Sequence, residues 1–303
     1  MKPDGAITVY AGGSYVEPYF AMRALNTAAD LGANVDRLAR DYINWQLARL
    51  DADSAFRRYC LKDASWSACG PADADDAALA LWIELLYRTA GRDEILARCK
   101  SSADASRLAL AGLKDSTGAY LVSRSLRTSL FMDNIEVLSA FDVAAATPAA
   151  AAAGDNSTLR VDADRLRLAI SQVFWNPATH TYRVSTQPGS AIARFYPEMV
   201  AQIYPAMFGY GTPERSSESL VAQWLADHGR DWAAESDTSA AWGLVAMAAM
   251  RAGRTSTATC WLGRAIKVRP TARWNVADES IYRALADRLS IRDTAVACRA
   301  DLH

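Results

Sequence analysis

The acidic residues of this chain gather where they could do more than solvate a surface. Glu17 stands in GGSYVEPYF, and Asp73, Asp75 and Asp76 open PADADDAALALWIELL. Asp133, Asn134 and Glu136 fall in FMDNIEV, Glu198 and Gln202 in ARFYPEMVAQIYP, Asp237 before AAWGLVAMAAM, and Asp278 with Glu279 in NVADES. Each run precedes an apolar stretch of helical period, and aromatic residues accompany them: Tyr15, Tyr19, Phe20, Trp66, Tyr196, Trp232 and Trp274. An acid at a helix N-terminus ordinarily satisfies open backbone N–H groups and suits the helix dipole. Capping explains any one of these acids but not their recurrence before every second helix. Carboxyls and aromatic rings in one concavity are the parts of carbohydrate chemistry. Rings stack on sugar faces, acids hold hydroxyls, and two carboxyls cleave a glycosidic bond. One of that pair must carry a proton, and a neighbouring like charge or an apolar pocket raises its pKa enough.

Helices must do the positioning. The apolar period predicts twelve, near 17–31, 35–50, 74–90, 92–113, 133–146, 159–174, 197–208, 213–228, 237–252, 255–268, 277–288 and 291–301. They alternate in kind. The second carries one stripe of Val35, Leu38, Tyr42 and Trp45, as a surface helix does, whereas AALALWIELLY and AAWGLVAMAAM are apolar all round and belong inside. Six interior and six exterior helices in alternation make an all-α (α/α)6 toroid, one barrel over residues 1–303. Long connections at 51–73, 114–132 and 175–196 then crowd the end where the inner helices begin, and long loops are more often functional. TGAYLVSR and THTYRVS alternate as short strands do, so hairpins are expected in those loops. TPAAAAAGDNS at 147–157 reads as a mobile, tolerated insertion on the opposite face.

Composition narrows the class. At 303 residues and 51% hydrophobic the chain can bury a large core, which excludes intrinsic disorder. The 33 basic residues balance 34 acidic ones, so neither nucleic acid nor an anionic membrane is an expected partner. No run approaches the roughly 18–20 apolar residues of a membrane span. Five cysteines without a CxxC pair and three scattered histidines give no metal site, and no cofactor motif occurs. Cys60 and Cys69 are close enough to be bridged, a disulfide expected if the protein is periplasmic or secreted. Cys99, Cys260 and Cys298 read as small buried hydrophobes.

These residues resemble the six-hairpin glycosidases, and among them glycoside hydrolase family 8. In that family a glutamate just before the first inner helix is the general acid, and GGSYVEPYF puts Glu17 at the matching point, with Val-Glu-Pro in place of Ser-Glu-Gly. The family's sugar-binding DAD motif is similar to PADADDAA, which matches it with Asp73, Asp75 and Asp76. Its aspartate base, in a Tyr-Asp-Ala context, has no copy here. FMDNIEV and YPEMVAQIYP resemble motifs of uncharacterised bacterial proteins of the same layout, leaving Asp133 or Glu198 as the base.

The resemblance implies an inverting hydrolase acting on a bacterial or plant polysaccharide or oligosaccharide. Glu17 is the expected acid, Asp133 or Glu198 the base. The expected sugar contacts are Tyr15, Tyr19, Asp73, Asp76, Asn134, Glu136, Arg194, Tyr196, Gln202 and Trp274. Carbohydrate is the expected substrate, and exopolysaccharide machinery a candidate partner. One alternative is a toroid that binds glycan or a partner protein without catalysis. Another is an epimerase or lyase working through a base such as His180 or His228.

Overall fold

The structure, a computed structural model, describes residues 1–50, 55–89, 96–189, 193–234 and 240–291. In chain order its helices are α1 (Pro18–Asp30), α2 (Asp36–Leu47), α3 (Asp75–Thr89), α4 (Leu96–Ala111), α5 (Phe131–Ala145), α6 (Pro148–Ala153) and α7 (Asn156–Val173). A compound segment follows: a π-helical turn Phe195–Met199, α8 (Val200–Ile203) and a 3₁₀ turn Tyr204–Phe208. Then come α9 (Ser217–Ala233), α10 (Gly243–Arg251), α11 (Thr255–Val268) and α12 (Val276–Arg288).

Six of these close an inner ring. α1 packs on α3, α3 on α5, α5 on the 3₁₀ turn, that turn on α10, α10 on α12, and α12 back on α1. α3 shows why such a helix belongs inside, since every residue from Asp76 to Tyr87 is buried. α2, α4, α7, α9 and α11 pack outside the ring, each on an inner neighbour. α2 buries Ala39, Tyr42, Ile43, Trp45 and Gln46 on one face. Leu38 was expected on that stripe and is instead 44% exposed. The buried face is turned by one residue, so Ala39 and Ile43 replace it.

The inner helices all begin at one end. Glu17 is the N-cap of α1, with Pro18 in the first turn, where a missing N–H costs nothing. Asp278 at the start of α12 accepts the N–H of Gly243 at the start of α10, at 2.9 Å. Five of the six expected helix starts are thus described at this rim, and Asp237 lies outside the described residues. α10 begins at Gly243, later than expected, and the expected helix 291–301 is also outside them, apart from Ile291.

Long loops dock on these starts. β1 (Tyr15–Val16), β2 (Arg57–Lys62) and β3 (Ser65–Pro71) form an antiparallel sheet in that order, with Tyr15 opposite Cys60. β4 (Trp175–Asn176) pairs with β5 (Thr181–Tyr182), as THTYRVS predicted. TGAYLVSR makes only one bridge, Lys114 to Tyr120. Its backbone is spent on helix starts instead: the Val122 carbonyl accepts the Asp75 N–H at 2.8 Å.

Two expectations need correction. The alanine run is not a loose insertion but the helix α6. Thr147 Oγ1 caps it by accepting the Ala150 N–H at 3.1 Å, Pro148 opens it, and Gly154 ends it at φ 76°. Ala149 and Ala150 are buried, and α6 packs on α3, α5 and α7. Alanine, the strongest helix former, made a low-complexity string into a packed turn. Cys260 is disulfide-bonded rather than a buried thiol, while Cys99 is buried and Cys298 lies outside the described residues. Cys60 and Cys69 form the expected disulfide, Cα–Cα 5.8 Å, across the β2–β3 hairpin.

Candidate active site

The rim carries three linked groups of polar side chains. The first is built by the β-hairpin and α1. Glu17 is 2% exposed and makes no capping hydrogen bond to its own helix. From β2, Arg58 donates Nε to Glu17 Oε2 and its terminal nitrogen to Asp73 Oδ1, the latter at 3.0 Å. Glu17 Oε1 is buried without a partner. Burial raises the Glu17 carboxyl above the usual range; the Arg58 charge opposes the shift and Asp73 adds to it. A carboxyl whose pKa burial raises keeps its proton to higher pH than a free one, which suits proton donation. Tyr15 flanks it, its phenol raised by partial burial and by the Glu17 charge.

The second group joins α3 to α5. Asp76 is fully buried, with Oδ1 accepting the Ala77 N–H at 2.8 Å and Oδ2 unpartnered. Asp133, half-buried, also has an unpartnered buried Oδ2. Burial pushes both carboxyls well up, and the charges of Asp76 and Glu136 push Asp133 further. Like charges disfavour ionisation, so Asp133 holds a proton more tightly beside Asp76 and Glu136 than it would alone. Asp73 also acts on Asp133, which ties this group to the first.

The third group fixes the floor. Glu136, 1% exposed, accepts from Tyr19 Oη at 2.8 Å, from Arg23 at 2.8 Å and from Tyr204 Oη. The Arg23 guanidinium also lies over the Phe208 ring, 5.0 Å from its centre. This is a buried ion pair whose three hydrogen bonds all fall on Glu136 Oε1, while Glu136 Oε2 is buried without a partner. It locks α1, α5 and the 3₁₀ turn at set distances beneath the rim. Glu136 and Tyr19 were expected to touch sugar, yet Glu136 Oε1 and the Tyr19 hydroxyl are spent on each other.

Other expected contacts are structural. Asn134 is a backbone clamp: Oδ1 accepts the Tyr120 N–H at 2.7 Å, and Nδ2 donates to the Tyr120 and Leu130 carbonyls. Gln202 does the same for the β4–β5 hairpin, accepting from Tyr182 N at 2.8 Å and donating to the Tyr182 and Glu198 carbonyls. Both are amides whose donor and acceptor complement the backbone N–H and C=O of one residue, and neither has an N–H left for a sugar. Trp274 is buried, stacked on Trp261 at 5.9 Å, and donates Nε1 to Glu279 at 2.7 Å.

The segment that opens at Phe195 holds the rest. Glu198 accepts the Arg194 N–H at 3.1 Å and so caps its own helical turn. The Arg194 side chain is exposed. Tyr196 is 46% exposed and stacked on Trp242, ring centres 4.9 Å apart. His180 pairs with Glu214 at the surface, 2.5 Å, and His228 packs beside Trp224 on α9.

Sequence reasoning missed Arg58, Arg23, Tyr204 and Trp242. Arg23 left a signal, being the one charge in the apolar run PYFAMRAL, one turn from Tyr19. Arg58 left none, because RRYC reads as an exposed strand until its partner acids are known.

No family model and no characterised protein sequence matches this chain. Its structure is similar to an alpha-amylase from Clostridium perfringens, with a TM-score of 0.64 at 10% identity over 94% of this chain and 92% of that one. It is also similar to endoglucanase Cel10 of Klebsiella pneumoniae, a family 8 glycosyl hydrolase, with a TM-score of 0.56 at 15% identity over 96% of both chains. A family 8 endo-β-1,4-glucanase from an Achatina fulica gut metagenome gives 0.55 at 16%, over 96% and 95%. Identities this low speak for architecture alone, and with the closed inner ring they lead to one conclusion: this chain has an (α/α)6 toroid, similar in fold to these solved structures.

Proposed function

We propose that the protein is an inverting glycoside hydrolase acting on a bacterial or plant polysaccharide or oligosaccharide. The observation that carries the reading is that Glu17 and Asp133, each at the start of an inner helix, both have carboxyls raised by burial and by the charge of Asp73. Glu17 gives its proton to the departing glycosidic oxygen, while Asp133 takes one from the water that attacks the anomeric carbon. A base of raised pKa is the stronger one once it has ionised. Inversion requires the carboxyls about 6.5–9.5 Å apart, room enough for that water.

Asp133 is favoured over Glu198 because Glu198 is occupied by the Arg194 N–H. The surroundings of His180 and His228 offer no support for a histidine-based epimerase or lyase. The Cys60–Cys69 disulfide and the bonded Cys260 fit an oxidising compartment and support the reading that the protein is periplasmic or secreted.

The test is product analysis over soluble and insoluble polysaccharides with three variants. Glu17→Gln and Asp133→Asn should each lower turnover by about 10²–10⁴-fold, the usual worth of a general acid or base, while Glu198→Gln keeps most of it. A protein that binds glycan and releases no product from any of them is instead a non-catalytic toroid.

A further inference from the structure

We infer that Tyr196 and Trp242 form a stacking subsite for one pyranose ring of the substrate chain, away from the point of cleavage. The inference rests on the glycan reading above and adds a site to it. Trp242 is the N-cap of α10, in the left-handed region at φ 52° and ψ 44°. Bulky side chains rarely adopt that conformation, and it persists only where the surroundings enforce it. The other non-glycine residues of positive φ among those described are Asp63, Ala64, His180 and Ser290, all small or polar. A helix start that merely needed this conformation would be served by glycine, and Gly243 is the next residue.

The strain holds a large ring in one place. Phe195 meets the Trp242 indole edge-on at 5.9 Å, and Asp278 accepts the Gly243 N–H at 2.9 Å, fixing the backbone beneath it. On the indole lies Tyr196, 4.9 Å away and 29° from parallel, still 46% exposed. The indole N–H is buried with no acceptor, a further cost that packing alone does not explain.

Position supplies the rest. Both residues stand at the N-terminal ends of inner segments, the rim that holds Glu17, Asp76 and Asp133. In ring order Tyr196 follows α5 and Trp242 follows Tyr196, so the platform lies beyond Asp133 and away from Glu17. An exposed ring backed by a second ring presents a flat, rigid apolar face, and the C–H face of a pyranose is its complement.

The test is affinity electrophoresis of the full chain through gels holding soluble β-glucan or α-glucan. Tyr196→Ala, an exposed change that leaves the fold, should weaken retardation by about tenfold, the size of one good aromatic contact. Tyr196→Phe should keep it. Trp242→Gly, which suits the backbone angle, should lose retardation without losing its folded circular dichroism. Native retardation unchanged in Tyr196→Ala, or no retardation of the native protein by either glucan, overturns the subsite. Glu17→Gln is run alongside: if it still cleaves, the hydrolase reading fails while the subsite stands.

Discussion

One guanidinium, that of Arg58, bridges Glu17 and Asp73, so the buried acid and the exposed one share a cation carried by the β-hairpin. Arg58 is a third exposed, while Glu17 is almost wholly enclosed. The Arg58 charge therefore pulls down a carboxyl that burial holds up.

Removing that charge has a definite sign. A general acid works only when protonated, and activity falls as pH rises through its pKa. Arg58→Ala should raise the Glu17 pKa further and move the alkaline limb of the kcat/KM profile to higher pH. Arg58→Lys should leave it near its native place. An alkaline limb that stays put in Arg58→Ala would assign that limb to another group.

The Glu136–Arg23 pair is expected to matter for stability before activity. Both are more than nine-tenths buried, and Glu136 takes three hydrogen bonds on one oxygen. Arg23→Met keeps the packing volume roughly while leaving a carboxylate buried and uncompensated, a loss of about 3–5 kcal/mol. Denaturant melts at neutral pH should show that loss and should show less of it in the double variant with Glu136→Gln. Equal losses in the two proteins would mean that the charge is not what matters.

Asp278 gives the fold a pH dependence of its own. Burial pushes its carboxyl up to about 6 from an ordinary 3.8, against the opposing N–H donors of Gly243 and Ala241. The folded chain then holds this proton more tightly than the unfolded one. Its contribution is complete below 3.8 and is lost as pH rises through about 6. The size is on the order of 3 kcal/mol. Unfolding free energies at pH 4 and pH 7.5 should therefore differ less in Asp278→Asn than in the native protein. Parallel slopes would show that the group does not titrate with folding.

The ring was legible because its signal is periodic and repeated: apolar all round at 75–89, one-sided at 36–47, and again along the chain. The places of Glu17 and Asp133 at helix starts were legible too, since an acid just before an apolar run of helical period marks where the helix begins. The partners of these acids were not. That Arg58 would reach Glu17 depends on the β1–β2 register, Tyr15 opposite Cys60, which no local pattern encodes. Asn134 and Gln202 misled for a physical reason: an amide at a helix start serves a neighbouring loop's peptide group as readily as a hydroxyl. The alanine run misled because composition was weighed ahead of the cap, proline and glycine that frame α6.

Closure of α12 on α1 makes the ring a seam sewn last. During synthesis α1 emerges early, yet the flank it gives to α12 stays uncovered until the chain from Pro18 to beyond Val276 has been made. At about 5–20 residues per second that is tens of seconds with Leu25, Ala28 and their neighbours open to other apolar chains. A nascent barrel of this kind is an open arc with two sticky edges, and its yield depends on what shields those edges before they meet.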